Sequence, residues 1–435
     1  MAAGKFDVTQ TGATGNGTTL DTPAIQKAIE ACAAAGGGQV EFPPGRYRSG
    51  TLRLRSGVTL FLEAGARLIG STNLSDYDQP EPPSYMPEAG WGKWHRGLII
   101  GNNVEDAAIA GFGTIDGNKV FDPTGEEHMR GPHGIVLAGC RGFALRGVTI
   151  VDAGNYAFYM EACDNIEARD VKIVGGWDGI HWRGAPEHWC ENVRIIGCQF
   201  YTGDDAIAGR YWRNTVIQDC LLNSSCNGIR LIGPAVHLTI AHNLFRGPGE
   251  QPHRTSGAAR RTNMLAGIIL QPGAWDATRG PLDDVFMANN VMQNVASPLA
   301  VWLKPGNTAG QITVSGLHAT GVYRAAISLE SWADEPITNV ALRNLEIEYS
   351  GGGKPWPAGE KVRPPGVDAR PLPAWGFYAR HVQKISLQDA RFTAAAGDPR
   401  RMIEVDRVET LELDGVHPAP EPEVNNKSGQ PAPNP

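Results

Sequence analysis

Ile166-Glu-Ala-Arg-Asp-Val171 belongs to a set of seven short segments in which apolar and polar residues alternate and a Gly, Asp, Asn or His follows. The other six begin at Phe143, Val193, Leu238, Val285, Val340 and Ile385. The segments recur roughly every 22 to 28 residues or at near twice that length: two intervals between their starts are 23 and 27 residues, and the other four are 45 to 55 residues. A period of this size, combined with the alternation of a β-strand, indicates a solenoid.

The kind of solenoid follows from what the repeats contain. Leucine-rich repeats share this period but require a Leu-x-x-Leu-x-Leu frame, which these segments lack. Short strands, frequent Gly and the absence of a helical pattern inside the repeat favour an all-β fold, the right-handed parallel β-helix. Its coils stack at about 4.8 Å, the spacing of neighbouring strands.

The two ends and three long loops complete the predicted organisation. An amphipathic helix over residues 21–36, with Asp21 as N-cap, Pro23 in the first turn and Gly36 at the exit, is expected to cap the first coil. Long loops are predicted at 72–97, 246–263 and 351–374. The β-helix is predicted to form one domain over residues 1–416, followed by a disordered Pro-rich tail over 417–435.

Composition excludes some classes of partner. A net charge of −7 and a pI near 5.9 argue against nucleic acid, and no apolar run is long enough to span a bilayer. The seven Cys lack metal-type spacing, so Cys198 and Cys220 are expected to be buried core residues rather than a bridge, and neither metal nor cofactor is expected. The start of the chain, Met1–Gly4, lacks the pattern of a signal peptide. Oligomeric state is not indicated.

Acidic residues on two neighbouring segments point to chemistry. Aligning Ile180 with Ile207 places Asp178 in the same column as Asp205, next to Asp204. Three carboxylates are therefore expected on one patch, where crowding raises one pKa and leaves the others ionised. That combination suits glycosidic bond cleavage, which needs one protonated and one charged carboxyl group. The alternative is a simple Gly-Asp-Asp turn with solvated carboxylates.

Three segments carry a family resemblance. Gly111-Phe-Gly-Thr-Ile-Asp-Gly117, the opening Phe6–Ala13 together with Gly37–Tyr47, and Thr202-Gly-Asp-Asp205 resemble glycoside hydrolase family 28, the polygalacturonase-like enzymes, from about residue 6 to residue 350. The resemblance implies that Asp204 is the general acid and that Asp178 and Asp205 hold and activate the water. It also implies inversion of the anomeric centre and a secreted or periplasmic protein.

Two departures from the family pattern bear on the substrate. Asn227 stands where polygalacturonases carry the His of a Gly-His-Gly motif, and Ile269 and Gln271 stand where they carry the Arg and Lys of Arg-Ile-Lys. An Ile cannot replace a charge-assisted hydrogen bond, which contributes roughly 1.5 to 3 kcal/mol. Plain polygalacturonan is therefore not the expected substrate.

Outward-facing strand positions predict the groove around the acids. One predicted column contains Tyr159, His181, Ala208, Arg230, Ile269, Trp302 and Ser328, and the other contains Glu161, Arg183, Arg210, Ile232, Gln271, Lys304 and Glu330. The candidate substrate contacts are His181, Arg183, Arg210, Asn227, Arg230, Gln271, Trp302 and Lys304, with His253 and Arg254 on the second long loop. The cations have an alternative role in balancing nearby carboxylates, and Trp182 is expected to point into the core.

Three functions remain open from the sequence. The leading prediction is a glycoside hydrolase acting on a pectin-related or other plant or microbial poly- or oligosaccharide, and the long loops favour action on chain ends. The second is a polysaccharide lyase or epimerase, which would use a Lys, Arg, His or Tyr base and often Ca²⁺. The third is a non-catalytic carbohydrate-binding β-helix.

Overall fold

The computed structural model describes residues 4–85, 95–253 and 261–418. The chain forms two compact units: unit 1 comprises Met1–Ser225 and Gly249–Thr262, and unit 2 comprises Cys226–Pro248 and Asn263–Pro435. Each unit is built from parallel strands. The single domain over residues 1–416 stays a prediction.

The described part of unit 1 is a succession of short strands with one α-helix, α1 (Thr22–Ala34), and single 3-10 turns at Val8–Thr11, Leu74–Asp76 and Glu126–His128. Its strands are β1 (Gly4–Asp7), β2 (Asn16–Leu20), β3 (Gly38–Phe42), β4 (Gly45–Ser49), β5 (Leu52–Arg53), β6 (Val58–Leu62), β7 (Ala66–Gly70), β8 (Gly97–Asn102), β9 (Ala108–Gly111), β10 (Thr114–Asp116), β11 (His133–Ala138), β12 (Arg141–Arg146), β13 (Thr149–Val151), β14 (Phe158–Glu161), β15 (Asp164–Arg169), β16 (Lys172–Val174), β17 (Ile180–Arg183), β18 (Cys190–Glu191), β19 (Val193–Ile196), β20 (Gln199–Thr202), β21 (Ile207–Arg210), β22 (Trp212–Gln218) and β23 (Leu221–Ser224).

Unit 2 uses fewer and longer strands. They are β24 (Asn227–Leu231), β25 (Ala235–Ala241), β26 (Leu244–Arg246), β27 (Ala266–Leu270), β28 (Gly280–Gln293), β29 (Leu299–Leu303), β30 (Asn307–Val322), β31 (Ile327–Ser331), β32 (Ile337–Tyr349), β33 (Ala374–Ala394) and β34 (Arg401–His417).

Strands pair in parallel from one coil to the next, and the predicted register holds around the acids. In unit 1, β14, β17 and β21 place Phe158, Ile180 and Ile207 in one buried column, which confirms the alignment of Ile180 with Ile207. Branched and aromatic side chains stack along such columns and exclude water, so they fix the register. The stacked coils define each unit as a parallel β-helix and confirm the predicted fold class.

The corners of the coils explain the residue that ends each repeat. The seven corner residues all have a left-handed backbone, with φ between 50° and 74°; they are Gly147, Asp170, Gly197, His242, Asn289, Asn344 and Asp389. Gly, Asn and Asp adopt this conformation at the lowest cost. The sequence pattern therefore detected the turns as well as the strands.

The structure contains two further coils of the repeat that are not among the seven segments found in the sequence. In unit 1, β22 lies on β19, with Arg194 opposite Val216, and its corner is Asp219. Its first inward position is the fully buried Thr215, so the apolar pattern is weak there. In unit 2, Ile312-Thr-Val-Ser-Gly316 of β30 fits the pattern and pairs with both Val285 and Val340.

Helix α1 covers Val8 and the neighbouring strand edge with one apolar side. Ile25, Ala28, Ile29 and Cys32 are fully buried, as the predicted capping role requires. Asp21 occupies the N-cap position, as predicted, but its side chain makes no cap hydrogen bond. Asp21 instead accepts from the backbone N–H of Thr14 at 2.8 Å and that of Gly15 at 3.1 Å, so it anchors the preceding turn.

The three predicted loops fall between strands, at β7–β8, β26–β27 and β32–β33. His417 still pairs with Arg391 in the last strand, so the coil extends one residue into the predicted tail, and residues 419–435 lie outside the described residues. No helix among the described residues has both the length and the apolar character needed to cross a membrane.

Candidate active site

Asp178, Asp204 and Asp205 converge in unit 1. Asp178 lies two residues before β17, and Asp204 and Asp205 form the connection from β20 to β21 on the next coil. One carboxylate oxygen from each lies within 4.8 Å of the other two. We call these three residues the acid trio.

Backbone contacts hold the trio in place. The Asp205 N–H lies 3.2 Å from Asp178 Oδ1 and 3.1 Å from Asp204 Oδ1, so it donates between the two carboxylates. The carbonyl of Asp204 accepts from the hydroxyls of Thr202 at 2.9 Å and Ser224 at 2.7 Å. Asp178 is 4% exposed and Asp205 5% exposed. The alternative of a solvated Gly-Asp-Asp turn therefore does not describe this site.

A buried chain of polar groups leads away from Asp178. His181 Nδ1 lies 2.6 Å from Asp178 Oδ2, and Arg183 Nε donates to His181 Nε2 at 2.8 Å. Because Nε2 accepts, the imidazole proton is assigned to Nδ1, which donates to the carboxylate. Burial, together with the charges of Arg183 and Arg210, lowers the pKa of His181 well below its usual value, so the ring is neutral.

The electrostatics of the trio favour retention of a proton. Burial, followed by the charges of Asp204 and Asp205, raises the pKa of Asp178 well above its ordinary value. Arg130 and Arg183 oppose this effect. Since three close carboxyls titrate as a unit, the retained proton belongs to the trio rather than to one fixed residue.

Asp204 is the most exposed member of the trio, and Arg130 and His253 lie beside it. Its side chain is 15% exposed, against 5% for Asp178. Arg130 Nη2 lies 3.5 Å from Asp204 Oδ2, and His253 Nε2 lies 3.6 Å from Asp204 Oδ1. The structure thus brings His253, predicted on the second long loop, to the trio, while Arg254 lies outside the described residues.

Arg130 and Tyr156 were not predicted from the sequence. Arg130 is 6% exposed, and its guanidinium lies 5.6 Å from the ring centre of Tyr156 and 5.2 Å from that of Trp177. The Tyr156 ring stacks on His181 with centres 4.7 Å apart. Both residues lie in connections between strands, where the repeat assigns no facing direction. In the sequence Arg130 follows Glu126-Glu-His-Met129, and nothing in that stretch marks it as a site residue.

In unit 1 the strands pair as predicted for the column that begins at Glu161. Glu161 lies opposite Arg183, and Arg183 lies opposite Arg210. Glu161 is 2% exposed, accepts from the Tyr159 and Tyr85 hydroxyls, and has its pKa raised by burial. Trp182, as expected, is fully buried and stacks on Trp212.

The predicted contacts of unit 2 lie under a loop segment. Val362–Leu372, which we call the cover segment, contacts Arg230 and Lys304 through backbone oxygens: Arg230 Nη2 donates to Val367 O at 3.0 Å, and Lys304 Nζ donates to Pro365 O at 2.9 Å. With its amide oxygen turned toward Arg230, Gln271 accepts from Arg230 Nε at 2.8 Å. Gln271 and Asn227 are buried.

The predicted register is wrong by two residues at Trp302 and Lys304. Ile269 pairs with Ala300 rather than Trp302, and Glu330 pairs with Trp302 rather than Lys304. Trp302 is 1% exposed, and its Nε1 donates to Ser328 Oγ at 2.8 Å. Stacking of Trp302 on a sugar would therefore require the cover segment to move.

Comparisons with known proteins agree with this architecture. A family model described as right handed beta helix region matches residues 133–251, and one described as rhamnogalacturonase A/epimerase, pectate lyase-like matches residues 5–74. A probable polygalacturonase of Vitis vinifera is 30% identical over 209 residues, which are 45% of this chain. The match spans only 42% of that relative's length.

Solved structures show the fold. A family 28 exopolygalacturonase of Yersinia enterocolitica superposes with a TM-score of 0.53 at 18% identity, covering 96% of this chain and 79% of the other. PfbA, a surface adhesin of Streptococcus pneumoniae, gives a TM-score of 0.55 at 17% identity, covering 95% and 92%. Fold likeness alone thus extends to an enzyme and to an adhesin.

The fold and these matches define a right-handed parallel β-helix protein. The comparisons also confirm the resemblance found in the sequence motifs. Over part of its length the chain resembles polygalacturonases, and it lacks the Gly-His-Gly and Arg-Ile-Lys motifs.

Proposed function

We propose that the chain is a glycoside hydrolase that cleaves a pectin-related poly- or oligosaccharide other than plain polygalacturonan. The observation that supports this most is the acid trio, three carboxylates within 4.8 Å on adjacent coils. Hydrolysis of a glycosidic bond requires a proton for the leaving oxygen and a charged carboxylate for the water. A buried trio that retains one proton supplies both.

The roles follow from access and hydrogen bonding. Asp204, the trio member with the most exposed side chain, protonates the leaving oxygen. In the reactive state Asp204 carries the proton that the trio retains, and the ionised Asp178 and Asp205 orient and deprotonate the water. The neutral His181 ring keeps Asp178 in position by donating from Nδ1, and Arg183 fixes that ring. Arg130 beside Asp204 stabilises negative charge when the acid has given up its proton.

The stereochemical outcome is a separate part of the proposal. Carboxyls about 5 Å apart usually accompany retention, and those about 6.5 to 9.5 Å apart accompany inversion. The trio falls in the short range, whereas the family resemblance implies inversion. We propose inversion, with water held between Asp178 and Asp205. Proton NMR of the first-formed anomer tests it, and a retained anomer in the initial product would overturn this part alone.

Substrate choice is argued from the replaced motifs. Ile269 and Gln271 supply no cation, and Arg230 is already engaged by Gln271 and by the Val367 carbonyl. Acidic sugar recognition in the manner of Arg-Ile-Lys is therefore not available at these positions. The long loops favour action on chain ends, and the pectin-related substrate agrees with an extracytoplasmic location.

A lyase or epimerase is the second candidate because the trio has the dimensions of a cation site. Arg130 within 3.5 Å of Asp204 and the cationic Arg183 behind His181 disfavour a divalent ion at the same place. The two candidates differ in their products. A lyase gives unsaturated uronides that absorb in the ultraviolet and loses activity in EDTA.

The deciding experiment is a screen of the purified chain against pectic, rhamnogalacturonan and neutral plant or microbial glycans. Products are identified by mass spectrometry, and Asp204→Asn serves as the matched inactive control. New reducing ends from the unchanged chain and none from the variant are expected. Unsaturated products, or equal turnover by both proteins, would overturn the hydrolase proposal.

A further inference from the structure

Unit 2 contains a second concave site. A cavity of about 700 Å³ is lined by residues of the loop after β32, by the start of the connection after β30 and by Arg400. We call it the basic cleft. Arg and Lys residues dominate its charged lining, and Tyr323 and Trp356 add aromatic rings.

Two arginines that line the basic cleft, Arg400 and Arg370, are each held by a buried carboxylate. Arg400 makes hydrogen bonds of 2.8 and 2.7 Å with Asp398, whose side chain is fully buried. Asp398 also accepts from the Gly353 N–H at 3.0 Å, which ties the loop to the last coils. Arg370 makes bonds of 2.9 and 2.6 Å to the fully buried Glu330.

The remaining cations of the cleft are free for a ligand. Arg324, Lys354, Lys361 and Arg363 are exposed, and none of them forms an ion pair with a residue that the structure describes. Glu360 is the one acidic residue among those that line the cleft. In a chain with a net charge of −7, four unpaired cations around one concavity form a local field of opposite sign.

Two aromatic side chains add an apolar surface. Tyr323 is 41% exposed. Trp356 is half-buried, and its Nε1 donates to the Glu360 carbonyl at 3.1 Å, which fixes the indole in the loop. Rings held in this way stack on the apolar faces of sugars, while Arg and Lys bind carboxylates. Cations together with exposed rings suit an acidic sugar.

We propose that the basic cleft is an accessory binding site for a uronate-containing polysaccharide chain. The choice of a uronate among anionic ligands rests on the proposed function. Binding at the cleft requires none of the acid trio, and it retains an acidic polymer near the enzyme although the Arg-Ile-Lys cations are missing.

The test is binding of polygalacturonate to the full chain carrying Asp204→Asn, which prevents cleavage. In that background Lys361→Glu/Arg363→Glu alters the cleft, and Arg343→Glu/Arg391→Glu, two exposed arginines of β32 and β33 outside it, makes the same change in charge. The cleft variant is expected to bind at least about tenfold more weakly, since two charge-assisted contacts are lost. The control is expected to stay within about twofold.

Two further probes identify the ligand class. Polygalacturonate with methyl-esterified carboxyls is expected to bind weakly to all variants, because its charge is removed. A single-stranded oligonucleotide is expected to bind weakly as well. Equal binding of polygalacturonate by the cleft variant and its control overturns the proposal, and so does an oligonucleotide that binds more tightly than polygalacturonate and loses that affinity in the cleft variant. Because this test measures binding and no turnover, its result is independent of the hydrolase proposal, which stands or falls on the products of the glycan screen.

Discussion

Unit 1 and unit 2 present outward strand positions of the same repeat to very different surroundings. In unit 1 these positions and the turns before them hold carboxylates, His181 and Arg183 in a polar network. In unit 2 Ile269, Ala300 and Trp302 pack with Ala369 of the cover segment into a small apolar cluster. The repeat fixes which way a side chain points, whereas the connection that lies over it decides whether it serves chemistry or packing.

The largest effect is expected from replacing Asp204, the proposed general acid of unit 1. Asp204→Asn should lower turnover by about 10² to 10⁴-fold, the usual contribution of general acid–base catalysis. Its thermal midpoint should barely change, because a crowded carboxylate group is relieved of one charge. Turnover on the substrate found in the glycan screen and a melting curve are the measurements. Asp334→Asn, at an exposed position of unit 2, is the control.

An Asp204→Asn variant with the turnover of the control would place catalysis elsewhere. The polar network of unit 1 would then be structural, and the contrast with unit 2 would lose its functional meaning.

The next largest effect concerns the cover segment. Glu330→Gln leaves Arg370 without its buried partner, which is expected to cost about 3 to 5 kcal/mol of unfolding free energy. The double variant Glu330→Leu/Arg370→Leu should be markedly less destabilised, because no charge is left unpaired. Urea unfolding measures both. Equal losses in the two variants would mean that the ion pair does not hold the segment.

The sequence predicted the acid trio better than the face of unit 2, for a physical reason. Around Ile180 and Ile207 the strands alternate, and the Gly residues before them mark the turns, so a single register buries the apolar residues. Leu299–Leu303 is buried at all five positions because both faces are covered. Because apolar and polar residues do not alternate in that segment, the sequence could not fix its pairing register. The predicted partner of Ile269, Trp302, is therefore wrong by two residues. Arg130 and Tyr156 lie in connections, where period and direction are undefined.

A smaller effect is expected in the pH dependence of stability. The raised pKa of Asp178 means that the folded chain binds more protons than the unfolded chain between the two pKa values. The resulting contribution to stability is present at low pH and is lost as the pH rises through the folded pKa. Asp178→Asn removes this loss, so its stability relative to the unchanged chain should improve from about pH 4 to about pH 7.

Urea unfolding of both proteins at the two pH values measures this change. A relative stability that does not vary with pH would show that Asp178 is ionised throughout, and the retained proton would then have to be assigned to another carboxyl.

The smallest expected effect is a difference in cysteine labelling between unit 1 and unit 2, which tests whether the two units unfold separately. All seven cysteines are buried thiols that form no disulfide, with Cys226 in unit 2 and the other six in unit 1. In mild urea the Glu330→Gln variant should expose Cys226 to a thiol reagent before the rest, because only unit 2 is weakened. Mass spectrometry of peptides measures the order of labelling. Simultaneous labelling of all seven would indicate one cooperative structure.

The cover segment lies outside the stacked repeat, in the connection between β32 and β33. Apart from Arg370, which pairs with Glu330 of β31, its length and sequence can therefore change without breaking a hydrogen bond of the strand ladder beneath it. In a lineage of such proteins, insertion or deletion at this one connection would be enough to expose or hide Arg230, Gln271 and Lys304. New specificities would then arise by altering a lid while the scaffold stays constant.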